Sequence, residues 1–105
     1  MSDVDAVFTA LSDPTRRRVM RLLSTDGPVT ATELAERIPV SRQAIVKHLT
    51  ALEDAGLVAS SVDGRHRRFR LTPGPMRDAM GWMADVGAEW DDRLEALRRH
   101  LSTRR

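Results

Sequence analysis

No cysteine occurs among the 105 residues. Disulfides, thiolate metal sites and cysteine nucleophiles are thereby excluded together. Tyrosine is also absent, and aromatic residues make up only 4% of the chain. There is no glycine-rich phosphate loop. No His-Ser-Asp grouping or carboxylate pair stands out beyond what an acidic helix supplies by chance, so the chain does not read as an enzyme. No stretch approaches the ~18 consecutive apolar residues of a membrane span. The opening Met1-Ser2-Asp3-Val4-Asp5 lacks the basic and apolar regions of a signal peptide, so a cytoplasmic location with no membrane partner is expected.

An overall excess of one charge is nearly missing too, since 17 basic residues almost cancel 15 acidic ones for a formal +2. Its distribution is uneven. Between Val40 and Leu71 lie six basic residues (Arg42, Lys47, Arg65, Arg67, Arg68, Arg70) against three acids (Glu53, Asp54, Asp63), whereas residues 73–105 carry six of each. The basic field is concentrated on one part of the chain, as nucleic-acid binding requires. Hydrophobic content of 41% and charged content of 30% describe one globular domain. Its core is modest enough that burial against a partner would help it, and a dimer fits the size.

The stretch Ser41 to Gly56 carries its own helix boundaries. Ser41 can accept a hydrogen bond from a free N–H of the first turn, and Gly56 can take the left-handed conformation that closes the last. At ~100° per residue Ile45, His48, Leu49 and Leu52 share one side. Gln43, Val46, Lys47 and Thr50 share the other, with Arg42 and Glu53 at its edge. A solvated face would interleave Glu and Lys. This one offers an amide, an ammonium, a hydroxyl and an exposed methyl, groups that match base edges, phosphates and the thymine methyl in a DNA major groove.

Ahead of it, Val4, Val7, Phe8 and Leu11 give a short amphipathic helix over Asp3 to Leu11. Asp13 caps a second helix with Pro14 at its first position, running through Ser24 on Val19, Leu22 and Leu23. Arg16, Arg17, Arg18 and Arg21 crowd this helix, and read as a solvated face with some phosphate contact at most. After the Asp26-Gly27-Pro28 turn, Val29 can form a one- or two-residue strand. Thr30-Ala31-Thr32-Glu33 is a capping box for a third helix with Leu34, Ala35 and Ile38 inward. Pro39 disfavours helix at the preceding residue, so Ile38-Pro39-Val40 breaks the chain just before Ser41 restarts it. Two short helices joined so tightly form a helix-turn-helix, with Val40, Ile45 and Leu49 in the shared core.

Beyond Gly56, residues 57–62 and 65–71 flank Asp63-Gly64, a two-residue hairpin signal. Arg67, Phe69 and Leu71 share one face of the second strand, and His66, Arg68 and Arg70 the other. A helix-turn-helix followed by a basic hairpin is a winged helix. Arg65 and His66 stand at the tip, placed to enter a minor groove or clamp phosphates, with Arg67 and Arg68 behind them. The alternative is that these arginines keep an edge strand soluble. Thr72-Pro73 then opens a long helix from Gly74 to Leu101. Met76, Met80, Met83, Gly87, Trp90, Leu94, Leu97 and Leu101 follow steps of four and three, a heptad seam that Trp82 and Val86 broaden. One helix shows more apolar surface here than a small domain can cover, so dimerisation is expected, with the first helix alongside. The tail 102–105 is expected to fray.

The fold class is therefore mainly α with a small β-hairpin, a single winged helix-turn-helix domain over 1–105 in the order α-α-α-α-β-β-α, dimeric through first and last helices. Candidate dimerisation residues are Phe8, Met76, Met80, Met83, Trp90, Leu94, Leu97 and Leu101. Candidate DNA-binding residues are Ser41, Arg42, Gln43, Val46, Lys47, Thr50, Arg65, His66, Arg67 and Arg68, with double-stranded DNA and a second copy as partners.

As a set, Ala-Leu-Ser-Asp-Pro-Thr-Arg-Arg-Arg (10–18), Thr32-Glu33-Leu34-Ala35, Val40 to Leu49, Leu52 to Val58 and the wing Gly64 to Leu71 resemble the ArsR/SmtB family of bacterial winged-helix repressors. The resemblance implies a homodimer that binds an inverted-repeat operator and represses transcription by occluding the promoter. Members that sense soft metals carry a cysteine pair where this chain has Glu33 to Ile38. Members that bind zinc on the last helix use a His and carboxylate spacing that Asp85, Glu89, Asp92 and His100 do not reproduce, so no metal or cofactor is expected. His48 reads as packed and hydrogen-bonded, and His66 as a wing residue. The chain looks like the metal-independent type, whose inducing signal, a small-molecule effector among the options, is unknown. Two other readings stand beside it: an interaction module that docks a protein on the Met- and Trp-rich last helix, and a sensor with an apolar pocket beside Met80, Met83, Trp82 and Trp90.

Overall fold

The computed structural model describes residues 3–103. Met1, Ser2, Arg104 and Arg105 lie outside it, and with them part of the tail expected to fray. The elements run α1 (Val4–Ala10), α2 (Pro14–Asp26), β1 (Val29–Thr30), α3 (Ala31–Arg37), α4 (Arg42–Asp54), β2 (Val58–Asp63), β3 (His66–Leu71) and α5 (Pro73–Thr103). Helix α2 runs two residues past Ser24 to Gly27, and α5 continues past Leu101, so Ser102 and Thr103 are helical.

Helices α1 to α4 each start where a side chain satisfies free backbone donors. Asp3 accepts from the Ala6 N–H, Asp13 from those of Thr15 and Arg16, and Ser41 from that of Ala44. Thr30 and Glu33 form the reciprocal capping box, with both bonds at 3.1 Å. Helix α4 ends in a Schellman motif. The Leu57 N–H donates to the Leu52 carbonyl and the Gly56 N–H to that of Glu53, both at 2.9 Å. Gly56 takes φ +76°, and a Cβ there would stand 3.0 Å from Pro75 Cγ. Glycine is thus needed both for the turn and for the close approach of α5 to the end of α4.

The strands make one antiparallel sheet in the order β1-β3-β2. The hairpin is accompanied by β1, which pairs Val29 with Phe69 and Thr30 with Arg68. The hairpin turn itself departs from the sequence expectation by one residue. Asp63 pairs with His66, so the two loop residues are Gly64 and Arg65 rather than Asp63 and Gly64. Gly64 has φ +62°, and among the described residues no non-glycine residue has positive φ. A turn on Asp63-Gly64 of the favoured type would force Asp63 into that region. A turn with glycine first needs only one such residue, and it sets Leu71 opposite Val58. Arg65 therefore belongs to the wing tip rather than to the strand.

The core joins every layer. Val7 and Ala10 of α1, Val19 and Leu23 of α2, Leu34 of α3, and Ile45, Leu49 and Leu52 of α4 are buried together. Val29, Ala31, Ile38, Leu57, Val58, Phe69 and, from α5, Ala79 complete it. Complete burial of each large side chain contributes ~1.5–3 kcal/mol. Beyond Val86 and Gly87 the last helix leaves the domain, and every residue from Ala88 to Thr103 is exposed. The radius of gyration is 18.9 Å, against ~13 Å for a compact chain of this length.

Candidate nucleic-acid interface

Helix α4 is fixed on its inner side and open on its outer one. Ile45, Leu49 and Leu52 are at most 1% exposed. Arg42, Gln43, Val46, Lys47 and Thr50 are all exposed, as is the cap Ser41. Val46 is an apolar side chain left 40% exposed on this face. Thr50 donates its hydroxyl to the Val46 carbonyl at 2.9 Å, one turn back on the same face. The N-terminus of α4 adds the partial positive charge of its free N–H groups, favourable to phosphate.

The wing stands across a cleft of about 710 Å³ from this face. Thr30, Thr32 and Glu33 form its floor, Arg42 and Val46 one wall, and residues 65–69 the other. Arg42 Nε donates to Thr32 Oγ1 at 3.1 Å, so its guanidinium is held at the mouth. Arg67 Nη1 donates to Ser60 Oγ at 3.3 Å, and Ser60 Oγ donates to Glu53 at 3.1 Å. The wing is thereby tied to the last turn of α4. Arg65 and His66 at the tip are exposed. Arg68 is placed differently. Its guanidinium lies 3.4 Å from Glu33 and 3.8 Å from Asp63, so it is committed to acids of its own chain. Glu33 is held below the usual carboxylate range, chiefly by the Thr30 backbone N–H, then by the Thr30 hydroxyl and the nearby Arg68 and His66 charges.

A helix face and a basic wing flanking one cleft are the geometry of a groove reader, and the chain's relatives agree. The family description "Helix-turn-helix domain" matches residues 11–61. The HTH-type transcriptional regulator YuzN of Bacillus subtilis is 41% identical over 86 residues, 75% of this chain and 94% of the relative. The transcriptional repressor SdpR of the same organism is 33% identical over 84% of this chain and 97% of its own. A solved ArsR-like transcriptional regulator from Rhodococcus sp. RHA1 superposes with a TM-score of 0.77 at 43% identity, covering 91% of this chain and 90% of that one. The chain belongs to the ArsR family of winged helix-turn-helix transcriptional regulators. It is a DNA-binding regulator of transcription and not an enzyme.

In this ArsR-family chain the seam residues divide into two groups. Phe8 and Met76 are half-buried against the chain's own core, and Phe8 meets Trp82 edge-on with ring centroids 5.5 Å apart. They belong first to the packing of α1 on α5. Met80, Met83, Trp90, Leu94, Leu97 and Leu101 are 46–60% exposed along one stripe. Ala79, only 1% exposed, is the α5 residue seated deepest in the domain. Its small size hides it from a search for large apolar positions.

Sequence reasoning also misses Arg16. Its Nε donates to His48 Nδ1 at 3.4 Å, and its Nη1 donates to the carbonyls of Ala10 at 3.1 Å and Thr9 at 3.4 Å. One guanidinium thus joins the end of α1 to the middle of α4. Asp13 beside it is held below the usual range, first by the Arg16 backbone N–H and then, against a smaller desolvation, by Thr15 N–H, His48 and the Arg16 charge. Nothing in local spacing links residues 10, 16 and 48, so only the fold brings them together. Among the described residues no three His, Asp or Glu side chains gather in a way that could hold a metal ion, and no helix is long and apolar enough to cross a membrane.

Proposed function

We propose that this regulator acts in the cytoplasm as a homodimeric repressor, joined through α1 and α5, that places one α4 in each of two successive major grooves of an inverted-repeat operator. Gln43, Val46, Lys47 and Thr50 face the bases, Ser41 and Arg42 hold phosphates, and Arg65, His66 and Arg67 of the wing engage the flanking backbone or minor groove. Occupancy of the operator blocks the promoter. Release follows a signal other than a thiolate-bound metal, since the chain has no cysteine. The observation that carries this reading is the pairing of an exposed, acid-free N-terminal half of α4 with a basic wing across one cleft.

The test is a gel-shift titration against the chain's own upstream region with unrelated DNA as competitor. Q43A and K47A are each expected to weaken the specific complex by the equivalent of one base contact, ~1–3 kcal/mol. Lys47 is the only lysine, so an amine-directed reagent read by mass reports on one side chain, and operator DNA is expected to slow its modification. Shifting that is indifferent to sequence and to both substitutions would overturn the proposal.

A further inference from the structure

Arg68 and Glu33 are odd partners for a surface built to attract phosphate. Glu33 lies on the floor of the cleft, the one acid among its lining residues, with Arg42, Arg65, His66 and Arg67 around it. Its Oε1 accepts from the Thr30 N–H at 3.1 Å and from Arg68 Nη1 at 3.4 Å. Capping alone does not require the negative charge, because glutamine serves the same box. As an ion pair it contributes little to stability, with the two side chains 51% and 37% exposed. What the contact does is connect. Arg68 sits in the central strand opposite Thr30 and Ser61, so its link to Glu33 fixes the hairpin against the start of α3 while Asp63 holds it from the wing's other strand.

We propose that Glu33 is a specificity-determining positioning residue, which sequesters Arg68 from the DNA backbone and sets the stance of the wing over the cleft. This rests on the DNA-reading function proposed above. A free arginine at the base of the wing would add a phosphate contact on any sequence, and each such contact steepens the dependence of log K on log salt by ~0.9. Held by Glu33, Arg68 adds none, and the wing presents Arg65, His66 and Arg67 from a fixed base.

The test compares the parent chain with E33Q and the double variant E33Q/R68Q by fluorescence anisotropy, on operator and on unrelated duplex, from 0.05 to 0.3 M salt (values on the order of those at which counterion release is measured). On unrelated DNA, E33Q leaves Arg68 only the longer 3.8 Å contact to Asp63, and is expected to steepen the salt slope by up to about 0.9 and to bind up to about five-fold tighter near 0.15 M salt. The ratio of operator to unrelated affinity should fall, because the fixed wing stance is part of the fit to the operator alone. In the double variant the slope on unrelated DNA returns to that of the parent chain. Glutamine keeps the capping box, and an unchanged circular dichroism melt verifies it. An unchanged slope in E33Q, a preserved affinity ratio, or steepening that persists without Arg68 would each overturn the inference. Failure of the parent chain to discriminate the operator at all would instead overturn the DNA-reading function.

Discussion

Replacing Leu94 and Leu97 with glutamine should uncouple dimerisation from folding. Both side chains sit on the part of α5 that leaves the domain, at 53% and 52% exposure, and neither contributes to the buried core. Complete burial of a leucine is worth ~1.5–3 kcal/mol, so covering the exposed half against a partner is worth ~1 kcal/mol for each. In a two-fold interface every side chain counts twice. The pair of substitutions therefore removes ~4 kcal/mol, or about a thousand-fold in the dimer dissociation constant. Glutamine has nearly the helix propensity of leucine, so α5 remains helical. Sedimentation equilibrium across a concentration series measures the dissociation constant. Gel shifts on the inverted repeat and on a single half-site measure the consequence, since a monomer should bind both alike. A variant that dimerises as the parent does would refute the seam. A monomeric variant with full operator affinity would refute the two-headed reader.

Two further outcomes follow from the caps and the wing. Asp13 has a lowered pKa in the folded chain, so its contribution to stability is complete above the unfolded value, near pH 4, and is lost as pH falls through the folded one. Acid denaturation followed by circular dichroism should therefore be shallower below pH ~4 in D13N, which keeps the cap without the titration; an unaltered profile would exclude Asp13 as a contributor. G64A meets no neighbouring atom within 4 Å but must hold φ near +62°, so it should cost ~1 kcal/mol through backbone strain alone. Faster amide exchange is expected at the wing tip with the helices unaffected. Slower exchange there would contradict the assigned turn.

The helix starts are legible in the sequence because a cap is a local event. Asp13, Thr30 with Glu33, and Ser41 each bond a backbone group within three residues, so spacing alone identifies them. The steep turn at Pro39 and the open face of α4 follow from the same short-range rules. Register is less legible. Asp63-Gly64 and Gly64-Arg65 both satisfy a two-residue turn, and the choice depends on strand partners across the hairpin and on the positive φ that Gly64 alone of these three residues takes. Contacts such as Arg68 with Glu33, or Arg16 with His48, span 35 and 32 residues. No periodicity encodes them, and that is why Arg67 and Arg68 read alike in the sequence but not in the structure. The heptad seam is visible as a pattern, whereas its division between Phe8 and Met76, packed on the domain, and the six residues left largely in water is seen only in the fold.

The Arg16 guanidinium grips the last carbonyls of α1 with one nitrogen and the imidazole of α4 with another. In the proposed dimer α1 and α5 form the joint between the two copies, so this grip makes each α4 one jaw of a caliper whose pivot lies at the joint. A caliper gauges a distance before it touches anything. Two half-sites one helical turn apart, ~34–36 Å, would be accepted when the jaws are set to that gap, and a slight rotation at the pivot would spoil the fit at both jaws at once.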